Sequence, residues 1–170
     1  MLRPDGLLGR AARRLGTQRW ARYVLGPKVL TPLDRLVHRL SGGRRRAADL
    51  LFDSLMLTTT GRRSGQPRQV TLARLELDGV PVVIASNFGR EHHPAWSENL
   101  RAEPRATVER DGRAEPVRAR ELGEHERQRV WPQAVAIWPG YGTYREATRG
   151  TREIRMFALE PDPERGPTTA

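Results

Sequence analysis

The sequence predicts an α+β fold in which an antiparallel sheet, strongly curved or closed into a small barrel, carries helices inserted late in the chain. Three observations predict it. From about Leu50 onward, runs rich in Val, Ile, Leu and Thr are broken at short intervals by Gly and Pro. Asp78-Gly79 and Asp111-Gly112 each join two such runs, a strong short-range hairpin signal. Helical spacing comes later, with Val130, Ala134 and Ile137 on one face.

Taken in order, residues 1–28 are arginine-rich, with a helix plausible over Leu7–Val24 on a ragged apolar face. The next piece is sharper. Thr31 caps, Pro32 takes the first helical position and Asp34 lies in the first turn. Leu33, Leu36, Val37 and Leu40 then share a face until Ser41-Gly42-Gly43 stops it. Leu55–Thr60 and the run 67–77 read as strands, and 80–86 as a strand buried along its length because it is nearly all apolar. After the turn Ser86–Gly89, Pro94 opens a short helix that puts Trp96 and Asn99 on one side. Strands follow at Arg105–Arg110 and Arg113–Glu121, a helix at Gly123–Trp138 interrupted in character by Pro132, and a helical turn at Tyr141–Ala147. Glu153–Leu159 is the last strand. This divides the chain into a basic helical segment 1–46, a barrel domain 47–161 and a tail 162–170.

The charge of +10 belongs to one end of the molecule. Residues 1–50 hold 12 basic against 3 acidic side chains, whereas residues 51–170 hold 18 against 17. A nearly neutral body argues against a fold that grips nucleic acid along a basic stripe. The basic segment suits an anionic membrane surface, at about 1 kcal/mol per basic residue close to it, or an unstructured arm. Cys is absent, so neither disulfides nor thiolate metal sites are available. No run reaches the roughly 18 apolar residues of a spanning helix, and no apolar stretch follows the first arginines as in a secretory signal. The expected location is the cytoplasm.

Chemistry concentrates between Leu55 and Ala73, LMLTTTGRRSGQPRQVTLA. A strand, a tight loop and a second strand would set Arg62, Arg63, Ser64 and Arg68 around free backbone N–H groups, an arrangement suited to phosphate or carboxylate. A solvated basic turn is the plainer alternative. The Lys and glycine spacing of a Walker loop are missing. Trp138, Tyr141 and Tyr144 recur every three residues around Pro139-Gly140, which fits either core packing or the mouth of a pocket. His92 and His93 are neighbours whose side chains diverge, with no third ligand nearby, so they read as loop histidines and no metal site is expected. No nucleophile elbow or zinc-protease motif is present.

Three blocks, LTTTGRRSGQPR, IASNFGREHHPAWSENL and WPQAVAIWPGYGTY, in this order and spacing, resemble the deazaflavin-dependent nitroreductases, actinobacterial split-β-barrel proteins related to flavin mononucleotide-binding barrels. The resemblance spans roughly residues 30–160. It implies hydride transfer from reduced coenzyme F420 to a quinone, with nitroaromatic compounds as incidental acceptors. It implies that Arg62, Arg63, Ser64 and Arg68 hold the phosphate and oligoglutamate tail, and that Gln69, Val70, Thr71, Leu72 and Ala73 run along the coenzyme. Ile84, Ala85, Ser86 and Asn87 would lie beside the deazaflavin ring. Ala95, Trp96, Ser97, Glu98 and Asn99 would close over it. Tyr141 would face ring and acceptor, flanked by Trp138 and Tyr144, with Ser86 and Tyr141 as candidate catalytic proton donors. Asn87, Ala73 and Trp138 depart from the lysine, aromatic and tyrosine found in some members, which touches acceptor preference rather than coenzyme binding. Peripheral attachment to the inner face of the plasma membrane through residues 1–46 is a further implication. A flavin mononucleotide enzyme on the same barrel, or a non-catalytic carrier of F420 or a lipid-like ligand, are the alternatives.

Overall fold

The β-prone runs pair as one antiparallel sheet in the computed structural model, which describes residues 53–164. The expectations for residues 1–46, both helices included, fall outside the described residues. The elements are β1 (Ser54–Thr60), β2 (Pro67–Ala73), β3 (Leu75–Leu77), β4 (Val80–Ile84), α1 (Ala95–Ala102), β5 (Arg105–Arg110), β6 (Arg113–Glu121), α2 (Glu124–Ile137), α3 (Gly140–Thr148) and β7 (Met156–Pro161).

Strand order in the sheet is β2-β1-β5-β6-β7-β4-β3. The two outermost strands, β2 and β3, are separated in the chain by Arg74 alone. A flat sheet cannot satisfy that connection, so the sheet curls until its edges nearly meet, and β2 touches β4 across the gap. The expected single run 67–77 is therefore two strands. Arg74 marks the break, where its guanidinium reaches Asp53 at 3.1 Å and Glu76 at 2.8 Å.

Both expected hairpins form. Asp78 and Gly79 (φ 52° and 83°) close β3 onto β4, and Asp111 and Gly112 (φ 51° and 76°) close β5 onto β6. Two successive residues at positive φ match the right-handed twist of the flanking strands. The last strand begins later than expected and runs through Pro161, and Asp162 beyond it is buried, its N–H donating to the Pro116 carbonyl at 3.1 Å.

Alternation along β4, which ends at Ile84 and not at Ser86 as expected, and along β7 explains why this strand is apolar throughout. Val83, Phe157 and Leu159 face the barrel interior with Leu55, Leu57 and Val108, and α1 closes that core through Trp96 and Leu100. Val82, Ile84, Met156 and Ala158 point the other way, beneath Val130 and Ala134 of α2 and the tyrosines of α3. Side chains of period two serve two cores. Pro132 sits inside α2 without ending it, on an exposed face where the carbonyl it leaves unpaired can be hydrated. Among the described residues no helix is long and apolar enough to cross a membrane.

Candidate active site

The loop between β1 and β2 is built from its own backbone. The Gly61 N–H donates to the Gln66 carbonyl at 2.8 Å, and the N–H groups of Ser64 and Gly65 donate back to the Gly61 carbonyl at 3.1 and 2.7 Å. A Cβ at Gly61 would lie 2.8 Å from Ser64 Oγ and 3.0 Å from the Gln66 carbonyl, so the turn is this tight only with glycine. The Ser64 hydroxyl oxygen accepts from the Gln66 N–H and from Arg68 Nη2, at 3.3 and 3.4 Å.

Asn99, buried in α1, fastens this loop to the body. Its Oδ1 accepts from the Arg62 N–H at 3.1 Å, and its Nδ2 donates to Thr59 Oγ1 at 3.0 Å. Thr59 Oγ1 in turn donates to the Arg68 carbonyl at 3.4 Å. One amide thus joins both ends of the loop to the helix. Replacing Asn99 by Leu strands the Arg62 N–H and one bond of Thr59. The expected cost is about 1–3 kcal/mol in urea unfolding, accompanied by weaker ligand binding at the loop.

Arg62, Arg63 and Arg68 are exposed and form no ion pair among the described residues. Other exposed arginines such as Arg90, Arg113 and Arg118 also show no ion pair among the described residues, but they are not gathered on one loop, and many of the rest are paired. Arg74, Arg120, Arg127, Arg129 and Arg155 each meet a carboxylate. Three guanidinium groups without a carboxylate partner on one loop suit an anionic ligand. The expected free backbone N–H groups do not add to them, because those of Gly61, Arg62, Ser64, Gly65 and Gln66 are bonded within the protein.

A groove of about 880 Å³ opens beside the loop. Among the residues expected to hold a coenzyme, Arg62, Arg63, Ser64, Arg68, Gln69, Val70, Asn87, Ala95, Trp96, Glu98 and Asn99 line it. Thr71, Leu72 and Ser86 are half-buried, and Ala73, Ile84, Ala85 and Ser97 are buried; none of these seven is in the lining. The Glu98 carboxylate also lines the groove; Arg155 donates to it at 2.5 Å, which offsets its charge and holds its pKa below the usual value.

The far wall is formed by Asn87, His92 and His93 of the segment 85–93. Asn87, Phe88 and Gly89 run through three consecutive left-handed conformations (φ 47°, 55° and 71°), a strained path for the first two. Arg152 holds it. Its guanidinium donates to the carbonyls of Ser86 (2.6 Å), Arg90 (2.9 Å) and Ala85 (3.2 Å). Asn87 Nδ2 also donates to the His92 carbonyl at 2.9 Å. Sequence reasoning missed Arg152, because nothing in its own neighbourhood marks an arginine that serves a turn more than sixty residues earlier. Arg152→Leu is expected to loosen this wall and raise amide hydrogen exchange across 85–92 selectively.

The aromatic set is placed differently from the pocket-mouth alternative. Trp138, Tyr141 and Tyr144 pack in the outer core and are not in the groove lining. Trp138 Nε1 donates to the Tyr144 hydroxyl at 3.3 Å. Tyr144 meets Tyr141 and Phe88 edge-on, each at 6.1 Å, and so supports the 85–93 wall from behind. Burial raises the pKa of the Tyr141 phenol well above its usual value.

Comparison with known proteins is consistent with this geometry. A family model described as F420H(2)-dependent quinone reductase matches residues 34–161. The F420H(2)-dependent quinone reductase Rv1261c of Mycobacterium tuberculosis is 26% identical over 71% of this chain and 77% of its own length. Rv3178 from the same organism is 28% identical over 72% of this chain and 98% of its own. Among solved structures, the F420-H2 dependent reductase FDR-A is 37% identical, with a TM-score of 0.57 over 63% of this chain and 93% of that one. A chain solved as a domain-swapped dimer is 32% identical, with a TM-score of 0.59 over 74% and 95%. The curled seven-stranded sheet is accordingly a split β-barrel. The chain belongs to the F420H(2)-dependent quinone reductase family, and it is an oxidoreductase whose coenzyme is F420.

Proposed function

We propose that this chain passes hydride from reduced F420 to a quinone, and that the 61–68 loop is the anchor for the coenzyme's phosphate and glutamate tail. The observation that carries the reading is the set of three guanidiniums without carboxylate partners at one end of a groove of about 880 Å³. The donor set fits the coenzyme: Arg62, Arg63, Ser64 and Arg68 offer cations and a hydroxyl to its acidic handle. Gln69 and Val70 form one side of the groove, and Asn87, Ala95, Trp96 and Asn99 the other. When bound, the coenzyme supplies a two-electron hydride. The chain's own work is to orient it and keep water away, which favours transfer without an acid–base dyad.

Reduction of a quinone to a quinol also consumes a proton. Neither expected donor, Ser86 or Tyr141, lines the groove, and Tyr141 is buried in the outer core, so we assign that proton to solvent once the hydride has passed. Nitroaromatic compounds are secondary acceptors of the same hydride. Residues 1–46 hold the protein at the inner face of the membrane, where quinones reside. Liposome flotation with and without that segment, at low and high salt, tests this, and equal partitioning of both forms contradicts it.

The direct test of the activity adds the protein to reduced F420 with menadione and follows the return of oxidised-coenzyme absorbance. Acceptor-dependent turnover is expected. Tight binding of reduced F420 with no turnover against any quinone or nitroaromatic acceptor would make the chain a carrier. Preferential quenching by flavin mononucleotide over F420 would change the coenzyme.

A further inference from the structure

A second cavity, of about 510 Å³, lies between α2, α3 and the turn that leads into β7, and it shares no lining residue with the coenzyme groove. Most of the charges around it are matched internally. Arg127 meets the carboxylates of Glu124 and Glu153 at 2.6 and 3.0 Å, and Arg149 meets Glu146 at 3.2 Å. Arg152 spends its N–H groups on backbone carbonyls, those of Ser86 and Arg90 among them. Arg145 is the exception. It is exposed, lines the cavity and forms no ion pair among the described residues. The Glu124 carboxylate is not left for it, because its two oxygens already accept from Arg127 and Gln128 at 2.6 and 2.7 Å.

An unpaired surface arginine is ordinary, but this one is held against a ring. Its guanidinium carbon sits over Trp131, 4.9 Å from the ring centre. Such a contact limits where the long side chain goes, so less freedom is lost when it meets a ligand. The guanidinium keeps N–H groups whose spacing matches the two oxygens of a carboxylate. Trp131 is half-buried, packs on the outer core and lines the same cavity. A cation and an apolar ring thus stand side by side in one concavity, the mixture that small-ligand sites use.

We propose that this cavity is a second ligand site, which takes a carboxylate carried on a flat apolar body. The carboxylate meets Arg145, and the body lies against Trp131. An inorganic anion would find the cation without using the ring, and a neutral aromatic molecule the ring without using the cation. Both parts are required for the tighter binding.

Naphthoate is the probe. It is titrated into the ¹⁵N-labelled full chain while the Trp131 indole N–H is followed by NMR, with assignment by loss of the signal in Trp131→Phe. The signal is expected to move and saturate. Naphthamide, the same shape without the charge, and inorganic phosphate should each bind at least about tenfold more weakly. Arg145→Gln, at an exposed position, should weaken naphthoate binding by about tenfold or more. Replacing Arg62 and Arg63 by Ala should leave it within about twofold, because those residues lie on the other groove. An indole signal that stays still up to the solubility limit of the probe overturns the inference. So does naphthamide or phosphate binding as tightly as naphthoate, a comparison that needs no variant. Wild-type affinity in Arg145→Gln overturns it as well, and a response lost in the Arg62 and Arg63 variant would place the probe in the coenzyme groove instead.

Discussion

Replacing Arg62 and Arg63 together by Ala is expected to weaken F420 binding by roughly 10²–10⁴-fold. Each change removes one charge-assisted contact of about 1.5–3 kcal/mol, and about 1.4 kcal/mol is a decade in affinity. The loop itself should survive, because its architecture does not use these side chains. The Arg62 N–H still meets Asn99, and Gly61 still closes on Gln66. Both side chains are exposed, so unfolding stability should stay within about 0.5 kcal/mol of wild type. Wild-type affinity should fall with added salt, and the double variant should lose most of that dependence. Fluorescence titration at two ionic strengths measures both effects. Unchanged affinity would move the anionic handle to another part of the surface.

Phe157→Ala is expected to destabilise the fold by about 3–5 kcal/mol, a large share of the 5–15 kcal/mol typical of a domain. Phe157 is 2% exposed near the start of β7 and is the largest of the fully enclosed side chains. Its ring meets Trp96 edge-on at 5.8 Å, with 65° between the planes. Trp96 is part of the groove wall, so the cavity left behind lies directly under the proposed site. Urea unfolding should show the loss, and residual F420 binding below the midpoint should weaken as well. Phe157→Leu, which refills most of the space, should cost less. A Phe157→Ala midpoint equal to wild type would mean that the barrel interior is not the core that holds the groove.

Much of this architecture could be read from local chemistry. The Asp-Gly pairs name their hairpins because few other residues tolerate two successive positive φ values. The stretch 80–86 betrays a doubly covered strand by having no polar face. The β1–β2 loop is legible for the same reason, since glycine, proline and clustered arginines interrupt strand-forming residues at a defined spacing. Relations between distant segments were less accessible. A single residue, Arg74, turns one apparent strand into two at opposite edges of the sheet, and no periodicity records that. Spacing left Trp138, Tyr141 and Tyr144 between core packing and the mouth of a pocket. It could not tell that these rings pack in the outer core against Phe88. Asn99 was expected on the side of α1 that carries Trp96, yet its role as the tie between helix and loop depends on contacts 37 and 40 residues away. Arg152 and His93 acquire their positions only when the chain closes.

The central claim is that the arginine loop holds the acidic handle of the coenzyme while the groove takes the rest. Fluorescence titration of wild-type protein with intact F420, and with the deazaflavin riboside that lacks phosphate and glutamates, tests it most directly. The account predicts that the truncated compound binds at least about a hundredfold more weakly, with little response to salt. Equal affinity for the two compounds would contradict it.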